Sequence, residues 1–275
     1  MSEKTRLLKD SMLTADDLIH HFEVNQNKGF RTQIIAVDDY GNTLFEEENQ
    51  TVLGGALFTL LKVFNVKHKW SVDTLNSMMN VANDGAETPD AENFVCLFGV
   101  GTGGCGETTT SVRDVKVYER EIFDMIPFRV TDQELPDNIK EKYWFKKPLT
   151  NGFNGYYLKT FESIGTKILW KDGLNGEDGS EVPKEVYNTN RTEPIETMVE
   201  IGLRIDRLDC REWFEYMGGI EEPRINSIGL FTGVKSPVTE GMEYKNVQLF
   251  SKLNTKNEIL QMDKGMTLLY RIFVI

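Results

Sequence analysis

The sequence predicts an α+β fold that is mainly β: an antiparallel β-sandwich with a small helical N-terminal part. From residue 94 onward, short apolar or alternating runs recur, and each is bounded by Gly, Asn, Asp or Pro. Such spacing is typical of a sandwich or barrel rather than of βαβ units. Before residue 93, longer apolar stretches follow helix-capping residues. We therefore divide the chain into an N-terminal part of helices and a hairpin, residues 1–92, and a β-sandwich or barrel-like domain, residues 93–275.

The N-terminal part begins with a predicted helix. In LTADDLIHHFEV, Thr14 is a candidate N-cap, and two aspartates follow in the first turn, where the helix dipole favours anions. The runs TQIIAV and NTLFEE flank DDYG and predict a hairpin. NQTVLGGALFTLLKVFNV predicts a buried helix, and SVDTLNSMMNVAND predicts a further short helix.

The β part is predicted as a series of strands joined by turn residues. We expect one helical insertion near residues 209–217, with Asp209 as its N-cap and Gly218 just beyond its C-terminal end. The run DGLNGEDGSEVP predicts a flexible acidic loop. The strand runs are FVCLFGV, VRDVKVYE, IPFRV, KYWFKK, GYYLKTFE, TKILWK, TMVEIGLRI, INSIGLFTG, NVQLFSKLN and MTLLYRIFVI.

The composition disfavours several classes of partner. The chain has 275 residues, 40% of them hydrophobic, and a formal net charge of −12. It has no Lys/Arg run to neutralise phosphates, so we expect no tight or sequence-specific nucleic-acid partner. Its three cysteines form no C-x-x-C pair, which favours a reducing compartment over a disulfide framework. Its N-terminus lacks the apolar core of a signal peptide, and its apolar runs are too short to span a bilayer, so we expect a soluble protein.

The glycine-rich run FGVGTGGCGETTT, residues 98–110, raises the question of a phosphate-binding loop. A P-loop needs Gly-Lys-Ser/Thr, but Glu107 follows the last glycine. A dinucleotide fingerprint needs a helix after the loop, whereas the following residues are β-branched and then alternate. We therefore expect no cofactor. The residues Gly101, Gly103, Gly104 and Gly106 are predicted to permit positive φ or close backbone approach in a mobile loop that orders against a neighbouring subunit.

Other catalytic signals are weak. His20, His21 and His68 lack the spacing of metal ligands. The sequence contains no G-x-S-x-G or H-E-x-x-H motif, and a nucleophilic role for Cys105 would need a histidine partner. We therefore predict no catalytic or metal-binding residues and a non-enzymatic protein.

The tryptophans allow a second hypothesis, that of a carbohydrate-binding or carbohydrate-acting β protein. Trp144, Trp170 and Trp213 stand in the aromatic runs YWFKK, ILWK and REWFEYM, which could form a binding platform. The alternative is that these rings pack in the core or in an interface.

The C-terminal run MTLLYRIFVI is apolar at almost every position. A half-buried strand would alternate, so both faces of this strand must be covered. The cover is either the two layers of a sandwich or a second subunit at one face or edge. The candidate packing or subunit-interface residues are Leu268, Tyr270, Ile272, Phe273, Val274 and Ile275.

The C-terminal third also resembles a known group of proteins. RINSIGLFTG, at Arg224–Gly233, is followed by NVQLFSKLN and then by TLLYRIFVI. This succession of an I-x-x-I-G-L-F strand, an L-F-S-K strand and a terminal Y-R-I strand resembles β-sandwich structural proteins from the neck, collar or tail of tailed bacteriophages. The resemblance covers only these strands, and the residues before them resemble no family.

The resemblance implies a virion component without enzymatic activity, assembled in the host cytoplasm. Such proteins form rings of identical subunits and bind adjacent virion proteins, here most simply at the neck or head–tail connection. A tail or baseplate subunit, or a capsid decoration protein, is the alternative position. An acidic surface would keep DNA from adhering to the inside of such a ring.

Overall fold

We describe the chain from a computed structural model. The structure describes residues 30–51, 55, 68–69, 87–88, 93–106, 111–116, 119–170, 195–219, 223–238, 241–259 and 264–274. The helix predicted from Thr14, the helix predicted within residues 71–84 and the acidic loop at 172–183 lie outside this range. The helix predicted from Asn49 was wrong at its start, because Asn49–Thr51 continues a strand. The described residues therefore do not support a small helical N-terminal part.

Strands dominate the described residues. Two short helices, α1 (Asp137–Lys140) and α2 (Arg211–Tyr216), and a 3-10 turn at Thr150–Gly152 interrupt them. The strands are β1 (Phe30–Asp38), β2 (Thr43–Thr51), β3 (His68–Lys69), β4 (Glu87–Thr88), β5 (Phe94–Gly101), β6 (Met125–Ile126), β7 (Arg129–Thr131), β8 (Tyr143–Pro148), β9 (Asn154–Thr160), β10 (Ser163–Trp170), β11 (Ile195–Ile205), β12 (Arg224–Val238), β13 (Gly241–Ile259) and β14 (Met266–Val274).

Twelve of the strands form one continuous antiparallel sheet that is folded into two layers. The first layer has the order β10-β11-β14-β1-β2. The second has the order β13-β12-β5-β9, with β6 paired to β5, and β7 and β8 paired to β9. Strand β2 belongs to both layers, because it pairs with β1 along most of its length and its last residues, Gln50 and Thr51, pair with β13. The predicted antiparallel, sandwich-like β fold is thus confirmed.

The main core fills the space between the two layers. Apolar side chains from both layers meet there, and the hydroxyl groups of Tyr270 in β14 and Ser251 in β13 form a hydrogen bond across the gap. The first layer contributes Ile34, Ala36, Ile201, Leu203, Leu268 and Tyr270, and the second contributes Phe98, Val100, Ile228, Leu230 and Phe250.

Strand β14 lies in the middle of the first layer. It pairs with β1 from Phe30↔Val274 to Asp38↔Met266, and with β11 from Thr197↔Val274 to Ile205↔Met266. Both of its edges are therefore occupied within the chain. The predicted hairpin of β1 and β2 forms one sheet with this C-terminal strand, and a domain boundary near residue 92 stays a prediction.

Both faces of β14 are covered, as its apolar composition requires. Leu268 and Tyr270 are buried in the main core, and Ile272 packs partly against it. On the opposite face, Phe273 is buried with Leu169 and Met198. Ile275 lies outside the described residues, and Val274 is described only as a strand position.

A separate apolar cluster covers the outer face of the second layer. Ile122, with the half-buried Val115 and Met125, packs on side chains of β5, β9, β12 and β13. The strand predicted in VRDVKVYE was therefore wrong over residues 113–116 and 119, which have no regular secondary structure. This part of the chain crosses the face of the sheet instead of joining its edge, and Val115 packs on that face without forming a strand ladder.

The hairpin turn between β1 and β2 uses the chemistry that DDYG predicts. The carboxylate of Asp38 accepts hydrogen bonds from the backbone N–H groups of Tyr40 and Asn42, each at 2.9 Å. Gly41 has φ +82°, a conformation that glycine adopts at little cost. The Asn42 side chain also donates to this carboxylate. That bond most of all, and then the two backbone bonds, lower the pKa of Asp38 below its ordinary value.

The packing of β14 predicts the effect of two neighbouring substitutions. Leu268→Ala removes a fully buried side chain between the layers and should lower the free energy of unfolding by about 2–5 kcal/mol. Leu269→Ala changes the same residue type on the opposite, partly exposed face of the strand and should cost less than half as much. Chemical denaturation followed by circular dichroism measures both. Equal losses would contradict the two-layer arrangement.

Candidate functional site

The glycine-rich segment is held by the chain itself. Its backbone N–H groups, which a phosphate would need, already have acceptors: Thr102 donates to the carbonyl of Asp124 at 3.0 Å, and Gly106 to that of Ser111 at 3.0 Å. Gly104 donates to the side-chain Oδ1 of Asn226 at 2.6 Å. These three donors are therefore committed within the chain.

Close backbone approach, not positive φ, accounts for three of the four predicted loop glycines. A Cβ on Gly104 would lie 1.9 Å from the carbonyl oxygen of Asn226. A Cβ on Gly103 would lie 2.4 Å from the ring of Phe123, and one on Gly101 would lie 2.7 Å from Ile122. Gly106 has space, with Ser111 at 3.8 Å, and none of the four has a positive φ. Whether the loop moves, or orders against a neighbour, stays a prediction.

The stretch that follows the loop is fixed by polar contacts to β12 and β13. The Asn254 side chain donates to the carbonyl of Arg113 at 2.7 Å and accepts from the Ser227 hydroxyl at 3.0 Å. Arg113 in turn reaches the carbonyl of Gly103 at 3.3 Å and the carboxylate of Glu119 at 2.8 Å. The loop and the stretch after it are thus tied to the same two strands.

At the base of this network Lys252 of β13 forms a buried salt bridge. Its side chain is 0% exposed, and Nζ lies 2.7 Å from Oε2 of Glu119. Burial lowers the pKa of Lys252 below its ordinary value, and the bond to Glu119 opposes this effect. Burial of Glu119 acts to raise its pKa, but hydrogen bonds from Lys252, the backbone of Lys116 and Arg113 outweigh it, and the pKa is lowered. Each charge therefore depends on the other.

A second buried ionic cluster lies where β9 meets the loop after β11. Nζ of Lys159, which is 2% exposed, lies 2.5 Å from Oδ2 of Asp209 and 2.8 Å from Oδ2 of Asp206. The rings of Phe128 and Tyr143 flank the ammonium group, with centroids at 5.9 and 5.1 Å. Burial acts to raise the pKa of Asp206, but the bond and charge of Lys159 outweigh it and the pKa is lowered.

The second cluster extends to three more elements. The hydroxyl of Tyr143 in β8 donates to Oδ1 of Asp209 at 2.7 Å. Burial, reinforced by the charge of Asp209, raises the pKa of Tyr143 well above its usual range. Beside it, Arg129 of β7 donates two hydrogen bonds to the carboxylate of Glu212 in α2, at 2.9 and 2.8 Å. Hydrogen bonds and ion pairs thus link β7 to α2, and β8 and β9 to the loop that leads into α2.

The start of α2 differs from its prediction. The helix lies inside the expected range, but the N-cap position is Cys210, without a side-chain capping bond, and Asp209 does not cap it. The Asp209 carboxylate accepts from Lys159, Tyr143 and the backbone N–H of Asp206 instead. Cys210 has φ +66°, unusual for a residue with a side chain, and donates its N–H to the carbonyl of Phe128 at 2.7 Å. At the other end Gly218 follows the helix with φ +114°, as predicted.

A small pocket adjoins the second cluster. It has a volume of about 20 Å³, which is room for about one water molecule, and Asp206, Asp209 and Arg211 contribute to its wall. The cluster fixes β9 against the loop that leads into α2.

In the part of the chain that the structure describes, no group of three His, Cys, Asp or Glu side chains is placed to hold a metal ion. No helix in that part is long and apolar enough to cross a bilayer.

Comparisons with known proteins give no relative. No protein-family model, no curated protein and no solved structure matches the chain.

The described tryptophans pack against neighbouring rings. Trp144 meets Tyr244 edge to face at 4.7 Å, with the ammonium group of Lys235 5.2 Å from its ring. Trp213 stacks on Tyr216 at 5.9 Å. Both are half-buried, and the structure does not describe the side chain of Trp170. The carbohydrate platform stays a prediction, and these contacts favour packing roles for the rings.

Sequence reasoning missed both ionic clusters. Lys159 stands in the apolar run GYYLKTFE and Lys252 in NVQLFSKLN, and a lysine inside such a run is the signal that was available. Their partners Glu119, Asp206 and Asp209 carry no signal, because the chain has many acidic residues and the pairs are far apart in sequence. The three cysteines are free, and burial raises the pKa of the Cys96 thiol to about 12.

Two glycine substitutions distinguish close packing from free space in the loop. Gly104→Ala should destabilise the protein by about 1–3 kcal/mol or more, because its Cβ collides with the backbone of Asn226. Gly106→Ala, with space for a Cβ and no positive φ, should change stability little. Thermal and chemical denaturation measure both. Comparable effects would show that the loop is not held as described.

Removal of the carboxylate beside Lys252 tests the buried salt bridge. Glu119→Gln should cost about 3–5 kcal/mol, because it leaves a buried ammonium group near Arg113 without its counter-charge. Adding Lys252→Met should restore most of the loss. The exposed Glu141→Gln is the matched control, with no expected effect.

The same variants have a signature in pH. The pKa of Glu119 in the folded protein is below the ordinary value of 4.5, so its contribution is complete above pH 4.5 and is lost as the pH falls below it. Unfolding free energies measured across this range should fall less steeply in the double variant than in the unmodified protein. Parallel pH profiles would contradict the pairing.

Proposed function

We propose that this protein is a non-enzymatic structural subunit of a tailed-bacteriophage particle, acting at the neck or collar through contacts with copies of itself and with adjacent virion proteins. The observation that carries the proposal is the position of the three segments that resemble such proteins. They lie in β12 and β13, neighbours in the second layer, and in β14, the middle strand of the first. The resemblance thus extends to the centre of the sandwich.

The use of charge supports a structural role. The buried lysines Lys159 and Lys252 are both paired with carboxylates, and these pairs fix loops to strands. Breaking such a pair is costly, whereas an intact pair holds its elements in one arrangement. A subunit that has to present the same loops in every copy of an assembly benefits from this type of anchoring.

The surface supports contacts with other proteins. Large apolar side chains are exposed at separate places on the sandwich, including Tyr40 (73%), Ile164 (66%), Met217 (60%), Phe123 (57%) and Phe94 (54%). Single exposed apolar residues are common on any protein. Ile164, however, lies in a run of five consecutive exposed residues, 162–166. The net charge of −12 would repel DNA that passes through a ring of such subunits.

Purified particles test the proposal. In particles of the virus that encodes the chain, washed with high salt and nuclease, mass spectrometry should detect the protein at a fixed ratio to the capsid protein. Antibodies against it should label the head–tail junction in electron micrographs. Absence from washed particles would overturn the proposal, and labelling of the baseplate or capsid surface would replace the neck with the alternative position.

A further inference from the structure

The second cluster holds an amine and a carboxyl group against each other inside the sandwich. Nζ of Lys159 lies 2.5 Å from Oδ2 of Asp209, and the carboxyl carbon is one bond beyond that oxygen. The two side chains are 3% and 0% exposed, so bulk water does not separate them. Groups held in contact by a folded chain react much faster than the same groups free in solution.

The surroundings of this pair favour the uncharged forms that can react. Formation of an amide needs a neutral amine as nucleophile and a neutral carboxyl group as electrophile. Burial raises the pKa of Asp209 above its ordinary value, although the charge of Lys159 acts to lower it. The rings of Phe128 and Tyr143 flank the amine, with centroids at 5.9 and 5.1 Å. In such apolar surroundings a shift of one proton from the ammonium group to the carboxylate leaves both groups uncharged.

Two further side chains contact the atoms between which charge and protons would move. The hydroxyl of Tyr143 donates to Oδ1 of Asp209 at 2.7 Å, where it stabilises negative charge that develops on this oxygen. The carboxylate of Asp206 lies 2.8 Å from Nζ of Lys159, within reach of a proton that the amine loses. The side chain of Asp206 is 43% exposed and its pKa is lowered despite partial burial, so it is present as the base.

We propose that Lys159 and Asp209 form an intramolecular amide bond, an isopeptide, once the chain has folded. The neutral amine attacks Cγ of Asp209, whose carboxyl proton is on Oδ2, and the new bond from Nζ to Cγ forms as Nζ gives a proton to Asp206. Asp206 passes this proton to Oδ2, the bond between Cγ and Oδ2 breaks, and one water molecule leaves. Atoms and charge balance, so the reaction needs no oxidant, cofactor or activating group.

The small pocket beside the cluster provides an exit for the water molecule that is released. Asp206 and Asp209 contribute to its wall, and its volume of about 20 Å³ is room for about one water molecule. The bond would join β9 of the second layer to the loop that follows β11 of the first. It would therefore tie the two layers together covalently and restrict the unfolded chain.

The other buried lysine lacks the features that favour this reaction. Nζ of Lys252 lies 2.7 Å from Oε2 of Glu119, but Arg113 also pairs with that carboxylate, at 2.8 Å. The pKa of Glu119 is lowered despite its burial. A carboxylate that stays ionised is a poor electrophile, so we expect Lys252 and Glu119 to remain an ion pair.

Mass spectrometry of the full chain tests the bond. The protein, purified folded and then denatured, should be lighter than its unlinked mass by one water molecule. After digestion with trypsin, the peptide 208–211 should be joined through Asp209 to the peptide that contains Lys159. Lys159→Arg keeps the positive charge but not the nucleophile, and should have its full mass. A folded chain of full mass, or a water loss located elsewhere than in this branched peptide, overturns the proposal.

Two variants test the groups around the pair. Asp206→Asn removes the proton acceptor and Tyr143→Phe removes the hydroxyl donor, and each should slow formation of the bond by about 100-fold or more. The linked fraction is followed by mass spectrometry after cell-free synthesis, and circular dichroism checks that each variant is folded. Asp132→Asn and Tyr156→Phe make the same chemical changes outside the cluster and should form the bond at the unmodified rate. Unchanged rates in the folded cluster variants overturn the assigned reaction.

The bond goes beyond the proposed function and does not depend on it. An unlinked chain that is present in washed particles overturns the bond and leaves the proposed function standing. A linked chain that is absent from washed particles overturns the proposed function and leaves the bond standing.

Discussion

The pairing of β14 on both edges is the constraint on which the sandwich depends. This strand joins β1 to β11 and thereby connects the hairpin of the N-terminal half to the rest of the first layer. Its inner face, with Leu268 and Tyr270, forms one side of the main core. The Tyr270 hydroxyl is hydrogen-bonded to that of Ser251 in the opposite layer. Without β14 the first layer would be divided, and the second layer would lose the apolar surface that Leu268 and Tyr270 supply.

Two buried salt bridges fix the position of segments that apolar packing alone would leave undefined. Lys252 and Lys159 each lie under a segment without a strand ladder of its own: the stretch after the glycine loop in one case, the loop before α2 in the other. Apolar contacts alone would allow such segments several positions, whereas a salt bridge with defined geometry selects one. The close approach of Gly104 to Asn226 acts in the same direction, since the contact is possible only where no side chain intervenes.

The sequence predicted the strands better than their partners. Alternating or continuous apolar runs bounded by turn residues located β5, β8, β9 and β11 to β14, and the hairpin at DDYG, because these signals are local. The run VRDVKVYE was misassigned, since a segment that crosses the face of a sheet shows the same alternation as one inside it. Asp209 was predicted as a helix cap because the signal for a cap lies in the residues next to it. Its actual partner, Lys159, is distant in sequence. Pairings of this kind are set by the assembled topology.

The position of β14 also has a consequence for biosynthesis. Phe30 pairs with Val274, so β1 has only β2 as a neighbour until nearly the whole of this sequence has left the ribosome. Loop closure over such a separation is slow, and the apolar faces of β1 and β11 remain exposed during that interval. A nascent chain of this protein is therefore expected to need protection by chaperones until β14 is made, and a product that ends before β14 would aggregate even when most of the sandwich is present.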